Sequence, residues 1–370
     1  MIERRTTRQV RVGGVAIGGH APISVQSMTT TPTADARATL AQIERLAIAG
    51  CEIARVAVPD DEAAAALPEI VTHSPVPVVA DIHFRAELAL TSIDAGVHKV
   101  RLNPGNVREP GDVRRVVRAA AAAGVAIRVG ANSGSIVRAA ERRARVQRDA
   151  DDTPSLPELM VERVADYLAL IEEEGFHDLV VSLKASSVLE TMAAYRLMAA
   201  RCDYPFHLGV TAAGPPRTGA VRSAVGLGAL LAEGIGDTVR VSLTGDPVEE
   251  IGAARTILEA LELRRFGPIV VSCPTCARAR ADLIPIVAQL ERRLATFKLP
   301  ITVAVMGCEV NGPGEASEAD VGIAASGDGM GTLFRCGKPV RRVREAAFVD
   351  ELVAEVEQIA AERPRSGSGE

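Results

Sequence analysis

Between residues 22 and 262 the chain alternates short apolar runs with amphipathic, alanine-rich segments, and it does so eight times. Strand-like runs fall near 22–27, 52–58, 77–82, 98–102, 125–130, 178–183, 205–211 and 238–243. Helical patterning fills each gap, at 35–49, 60–70, 85–95, 110–123, roughly 155–174, 187–201, 217–233 and 246–262. Gly50, Gly96, Gly124 and Gly175 each fall just past a helix, where a left-handed cap is expected. An open doubly wound sheet and a closed barrel both satisfy this alternation. Eight units decide for the barrel, so the predicted fold class is α/β, a TIM (β/α)8 barrel over residues 1–263. With 3% aromatic residues and no Trp, its core must be aliphatic, which suits strands buried on both faces.

The ends of the predicted strands carry the next signal. In order they present Gln26 and Ser27, Arg55, Asp81 and His83, Arg101 and Asn103, and Arg128 and Asn132. Ser182 and Lys184, His207 and Thr211, and Arg240 and Ser242 complete the series. The C-terminal strand ends of a TIM barrel converge on one mouth, where active sites sit. One arginine at such a position reads as a solvated charge. Four arginines and a lysine in phase with the strands describe a site for a multiply charged anion, because guanidinium pairs with phosphate bidentately. His83 is a candidate acid or substrate donor, against the plainer reading of a hydrogen-bonded structural histidine. The loops Asn103-Pro104-Gly105-Asn106 and Gly130 to Ser135 are ordinary turns or phosphate cradles. Residues 136–154 are charged without periodicity and read as a mobile loop or broken helix over the mouth.

After Leu263 the pattern changes to a small α+β domain over 264–362. A strand at 268–272, a helix near 279–296, strands at 301–306 and 320–324, short strands near 332–342 and a helix near 346–362 are expected. Cys273-Pro274-Thr275-Cys276 follows the first strand, and two thiolates at this spacing grip one metal from a single turn. Cys308 follows the second strand within Gly307-Cys308-Glu309-Val310-Asn311-Gly312-Pro313-Gly314-Glu315. Asn-Gly-Pro-Gly is read as a tight turn that folds Glu315 back toward the same centre. Three sulfurs and one oxygen point to redox chemistry more than to structural zinc. Cys336 keeps a four-thiolate zinc site open as the rival, and a thioredoxin-like dithiol is a further one. Cys51 and Cys202 read as small buried fillers.

Composition excludes other classes. A formal net charge of -5 argues against a general nucleic-acid binder. No run is long and apolar enough to span a membrane, and Met1 to Gly14 lacks the apolar segment of a secretory signal. Six cysteines including a CxxC suggest thiols kept reduced in a cytoplasm. The tail at 363–370, rich in Arg, Ser and Gly, has the composition of a disordered segment.

From about Gln9 to about Val356 the chain resembles the 4-hydroxy-3-methylbut-2-enyl diphosphate synthases of the non-mevalonate isoprenoid pathway, in their two-domain bacterial form. The resemblance rests on Ser24-Val25-Gln26-Ser27-Met28-Thr29, Ala80-Asp81-Ile82-His83-Phe84, Asn103-Pro104-Gly105-Asn106, His207-Leu208-Gly209-Val210-Thr211 and Gly234-Ile235-Gly236-Asp237-Thr238. Its most specific parts are the CPTC and GCxxNGPGEA segments. It implies a TIM barrel joined to a small iron–sulfur domain. It also implies a homodimer in which the cluster domain of one subunit caps the barrel of the other. The implied activity is the two-electron reductive opening and dehydration of 2-C-methyl-D-erythritol 2,4-cyclodiphosphate, with electrons from flavodoxin or ferredoxin. The resemblance assigns a four-iron, four-sulfur (4Fe-4S) cluster to Cys273, Cys276, Cys308 and Glu315, leaving Cys336 outside. It assigns diphosphate binding to Arg55, Arg101, Arg128, Asn132, Lys184, Arg240 and Ser242. His83 and Asn311 match positions that face the substrate, and with Thr211 and Glu315 they make the candidate catalytic set.

One departure stands out. Where the family reads Ile/Val-Thr-Glu-Ala-Gly, this chain reads Val210-Thr211-Ala212-Ala213-Gly214. Loss of a positioned proton donor commonly costs about 10²–10⁴ in rate. Either another group supplies the proton, or the chain is a divergent or non-catalytic homologue. Glu309 beside Cys308 is one candidate, against its simpler reading as a loop surface charge.

Overall fold

The structure, a computed structural model, describes residues 2–136 and 154–362. The loop expected over 136–154 lies outside the described residues except at its two ends, as does the 363–370 tail. The chain divides into two compact units, Met1–Arg264 and Arg265–Glu370.

The first unit opens with an antiparallel hairpin, β1 (Val10–Val12) and β2 (Val15–Ile17), which the sequence reading did not anticipate. Eight parallel strands follow: β3 (Ser24–Met28), β4 (Ile53–Val58), β5 (Val78–Ile82), β6 (Lys99–Leu102), β7 (Ala126–Asn132), β8 (Leu179–Lys184), β9 (His207–Leu208) and β10 (Thr238–Val239). Their order is β8-β7-β6-β5-β4-β3-β10-β9, and a parallel bridge between Val181 and Phe206 joins the two ends. The sheet therefore curls into a barrel. Strands β9 and β10 are shorter than their apolar runs, although the Arg240 N–H still donates to the Leu208 carbonyl at 3.0 Å.

Helices follow the strands: α1 (Ala36–Ile48), α2 (Asp61–His73), α3 (Ala86–Asp94), α4 (Pro110–Ala123), the single turn α5 (Ser133–Ile136), α6 (Leu156–Glu172), α7 (Val188–Ala199), α8 (Pro216–Ala232) and α9 (Pro247–Ala260). Local chemistry sets their ends. Asp35 and Asp60 accept from the backbone N–H groups of Ala38 and Ala63, and Ser155 forms a reciprocal capping box with Glu158. Spacing sets their faces: α4 buries Val113, Val116, Val117 and Ala120, one apolar stripe against the sheet.

The hairpin closes the barrel floor. Val10, Val12 and Ile17 pack on Ile53, Val79, Ala126 and Val180, which lie at or near the starts of four barrel strands. The opposite end, where strands finish, is left for chemistry.

The second unit is a five-stranded sheet in sequential order: β11 (Ile269–Ser272), β12 (Thr302–Met306), β13 (Val321–Ala325), β14 (Met330–Arg335) and β15 (Lys338–Arg344). The first three are parallel and the last two antiparallel. Alternation splits β12 cleanly. Val303 and Val305 face a core with Leu290, Phe348 and Leu352 from α10 (Leu283–Leu294) and α12 (Phe348–Glu362), while Ala304 and Met306 face Ala316 of α11 (Gly312–Glu318). Helix α11 corrects the tight turn expected at Asn-Gly-Pro-Gly. Pro313 lies in the first helical turn, where its fixed φ suits the helix and its missing N–H is not needed.

Candidate functional site

Parallel register places the barrel's charged residues side by side. Asp81, Arg101 and Arg128 pair directly across β5, β6 and β7, and Asn132 pairs with Lys184 across β7 and β8. The mouth contains a cavity of about 230 Å³ lined by Arg55, Arg101, Arg128, Asn132, Ser182, Lys184, Thr211, Ala212, Arg240 and Ser242. All seven expected anion-binding residues and Thr211 thus lie on one wall. His83 stands apart from that lining. Its Nε2 is 4.0 Å from Asp81 Oδ2, and 36% of its side chain is exposed.

Four guanidinium groups crowd the cavity, and two carboxylates organise them. Asp81 is shared between Arg101 Nη1 at 3.2 Å and Arg55 Nη2 at 3.4 Å. Glu250, on the first turn of α9, lies 3.3 Å from Arg240 Nε and accepts from Ser27 Oγ at 2.8 Å. Burial alone would raise the Asp81 carboxyl. The field of Arg55, Arg101, Arg128 and His83 overrides it and holds the group at about 2. Arg128 is buried, and among the described residues its Nε and Nη1 have no hydrogen-bond partner. Burial and the neighbouring Arg55 and Arg101 oppose its charge, Asp81 offsets part of that cost, and an arriving anion would relieve more of it. Two glycines make room for this crowd. A Cβ on Gly130 would sit 2.9 Å from Arg101 Nε, and one on Gly209 would sit 2.5 Å from Lys184 Nζ.

Below the cavity lie Lys99, which strand-end reasoning passed over, and His207, which belongs to the strand-end series. Lys99 and His207 are fully buried, and among the described residues Lys99 Nζ has no hydrogen-bond partner. His207 Nε2 is 3.1 Å from Lys184 Nζ, while its Nδ1 has no partner among the described residues. Glu250 carried no signal either, since an acid on a helix's first turn ordinarily serves the helix dipole. Ala212 adopts φ +54, a left-handed conformation rare for alanine, and it lines the cavity where the family motif has a carboxylate.

In the second unit, the adjacent parallel strands β11 and β12 end side by side, and Cys273 and Cys308 follow those ends. The backbone N–H of Gly307 donates to Cys273 Sγ at 3.2 Å. Backbone N–H groups of Asn311 and Val310 lower the Cys308 thiol, and those of Arg278, with its side chain, lower Cys276. These three free thiols, wrapped by N–H donors, are chemically suited to hold iron. Glu315 lines a different depression, about 280 Å³, with Val271, Thr302, Ala304, Met306, Glu318 and Ala319. Among the described residues no three His, Cys, Asp or Glu side chains already converge as metal ligands. Cys336 is in the β14–β15 turn, whose strand end pairs with the start of β13. Cys273 and Cys308 follow the opposite end of the sheet, so the four-thiolate zinc reading has no geometric basis.

Residues 7–255 match the GcpE TIM-barrel domain, and residues 269–358 match the GcpE protein C-terminal domain. The chain belongs to the GcpE family. Two GcpE relatives are named 4-hydroxy-3-methylbut-2-en-1-yl diphosphate synthase (flavodoxin). The protein of Geobacter sulfurreducens is 54% identical, over 96% of this chain and 99% of its own length. That of Lawsonia intracellularis is 50% identical, over 97% of this chain and 98% of its own length. GcpE membership fits the barrel and the sheet domain described above. Among the described residues no helix is long and apolar enough to cross a membrane.

Proposed function

We propose that this GcpE-family chain converts 2-C-methyl-D-erythritol 2,4-cyclodiphosphate to 4-hydroxy-3-methylbut-2-enyl diphosphate, with the barrel mouth as its diphosphate site. One observation carries the residue-level reading: among the described residues, four guanidiniums and Lys184 surround a cavity organised by two carboxylates, Asp81 and Glu250. Such a surplus of buried guanidinium charge is costly in the empty cavity and is relieved opposite an anion. Counted on fully protonated species, the reaction takes in two electrons and two protons and releases one water.

Arg55, Arg101, Arg128, Arg240 and Lys184 hold the phosphates, and Asn132 and Ser242 add neutral hydrogen bonds. Fixing both phosphates leaves the carbon skeleton in one orientation, which removes much of the entropy of alignment. Thr211 and His83 on the barrel, with Asn311, serve the reacting end of the substrate. Cys273, Cys276 and Cys308 with Glu315 would hold the 4Fe-4S cluster, and a carboxylate ligand exchanges more readily than thiolate. When bound, such a cluster supplies electrons singly at low potential. Flavodoxin, as in the relatives' names, or ferredoxin delivers them. We place the enzyme in the cytoplasm, whose reducing poise suits six free cysteines. It assembles as a homodimer in which the cluster domain of one subunit caps the barrel of its partner.

The test is turnover of the cyclic diphosphate by anaerobically reconstituted protein, read by oxidation of a reduced viologen. The Ala212→Glu variant is run alongside. Product from the unaltered chain is expected. A chain that binds iron and the cyclic diphosphate yet forms no product with either donor would overturn the catalytic reading. Product from the variant alone would overturn it for the chain as it stands.

A further inference from the structure

The cavity lining contains no carboxylic acid among the described residues, yet the proposed reaction consumes protons. We propose that Lys184, positioned by His207, is the group on which the barrel takes up a proton when the cyclic diphosphate enters, so that substrate and proton arrive together. The inference rests on reading the cavity as the diphosphate site.

The geometry is specific. Lys184 comes from β8 into the cavity wall with its side chain 7% exposed. Its Nζ meets Nε2 of the fully buried His207 at 3.1 Å, and the missing Cβ of Gly209 leaves it that position. Two nitrogens at this distance hold one proton between them, since two cations in contact would repel strongly in a dry site. His207 is held from behind, where the Tyr195 hydroxyl of α7 donates to its carbonyl oxygen at 2.6 Å. The charged groups acting on the pair are Arg55 of β4, Lys99 and Arg101 of β6, Arg128 of β7 and Arg240 beyond β10, while Asp81 of β5 and Glu250 of α9 are paired with Arg101, Arg55 and Arg240. Four guanidiniums against two carboxylates leave no electrostatic room for another ammonium while the cavity is empty. Burial, then Arg128, Arg55, Arg240 and Arg101, hold Lys184 well below the ordinary lysine range. A ligand bringing two phosphates reverses the sign of the local field. The ammonium form then becomes favoured, and linkage requires a proton to be drawn from solvent on binding.

The experiment is calorimetric titration of the oxidised, anaerobically reconstituted full chain with the cyclic diphosphate, in buffers of different ionisation enthalpy. Without reductant nothing turns over. Each phosphate of this ligand carries one strongly acidic hydroxyl, so the ligand itself does not titrate near neutrality. Binding heat that varies with the buffer, equivalent to uptake of roughly one proton per ligand, is expected. Lys184→Arg, which keeps the charge but cannot release it, should bind without uptake. His207→Phe should move the pH range in which uptake occurs. Buffer-independent heat in the unaltered protein overturns the proposal. So does uptake that survives Lys184→Arg and disappears in Lys99→Met, which would put the proton on the deeper lysine. If Lys184→Arg fails to fold, the pH dependence of the unaltered protein decides. Its association constant should fall as pH rises, by up to about tenfold per unit, and a flat profile is fatal. Absence of any binding would instead overturn the diphosphate reading of the cavity.

Discussion

Arg128 is buried in the barrel with two guanidinium nitrogens unpartnered among the described residues, so in the free protein it is a liability that an anionic ligand would offset. Arg128→Met should raise stability to urea by roughly 1–4 kcal/mol. The same change should weaken binding of the cyclic diphosphate by about a hundredfold or more, as losing one partner of a desolvated charge pair does. If stability and affinity moved together, Arg128 would be a structural cation. Asp81 makes the converse case, because Asn there would strand Arg55 and Arg101, at a cost of about 3–5 kcal/mol. Its depressed carboxyl adds stability that is fully present above the ordinary value of 3.8 and is lost as pH falls through about 2. Acid titration of stability should therefore be steeper between those limits in the unaltered protein than in Asp81→Asn. The strand-end cations were legible because they end apolar runs in phase. Lys99 was not, since it sits two residues before Arg101 inside such a run and alternation alone buries both. Glu250 was hidden because nothing local distinguishes an acid that reaches across to Arg240 from one that serves its own helix.

At the level of elements, the eight strand–helix units were readable because each joins an apolar run to an amphipathic helix. Gly50, Gly96, Gly124 and Gly175 mark the ends of four of those helices. The β1–β2 hairpin had a signal too. Val-Arg-Val-Gly-Gly-Val-Ala-Ile is alternation around a two-glycine turn, and Gly13 takes the positive φ that such a turn requires. Each of its strands is only three residues long, too short for alternation to stand out among the surrounding arginines. Helix α11 was missed for the opposite reason, since Gly and Pro read as breakers and only their place in the first turn makes them compatible with a helix. The hairpin's function is to fill the barrel floor, away from the mouth. Ile17→Ala should therefore cost about 2–5 kcal/mol in chemical denaturation. Affinity for the cyclic diphosphate, measured on folded protein, should stay within about twofold because no ligand contact is touched. A large loss of affinity with small loss of stability would mean that the floor supports the mouth directly.

Across the whole molecule, the two units divide the chemistry by residue type. Every cation lining the mouth cavity belongs to Met1–Arg264, and the three cysteines suited to iron belong to Arg265–Glu370. Anion binding should then survive loss of metal. Chelated, iron-free protein should bind the cyclic diphosphate within about tenfold of the reconstituted form, since the phosphates supply most of the ligand's charge. It should show no turnover. Sheet topology sharpens the companion test. Cys308→Ser removes a thiolate that follows a β12 end adjoining β11, so iron and acid-labile sulfide after reconstitution should drop together. Cys336 lies at the other end of the sheet with φ +46, a backbone setting that favours glycine. Cys336→Gly should keep full iron and sulfide and should not lower the melting temperature. Loss of iron in both variants would mean that the sheet's two ends serve one centre, which its parallel register does not permit. Loss in Cys308→Ser alone would tie the metal to the β11–β12 edge and leave the barrel's cations to the substrate.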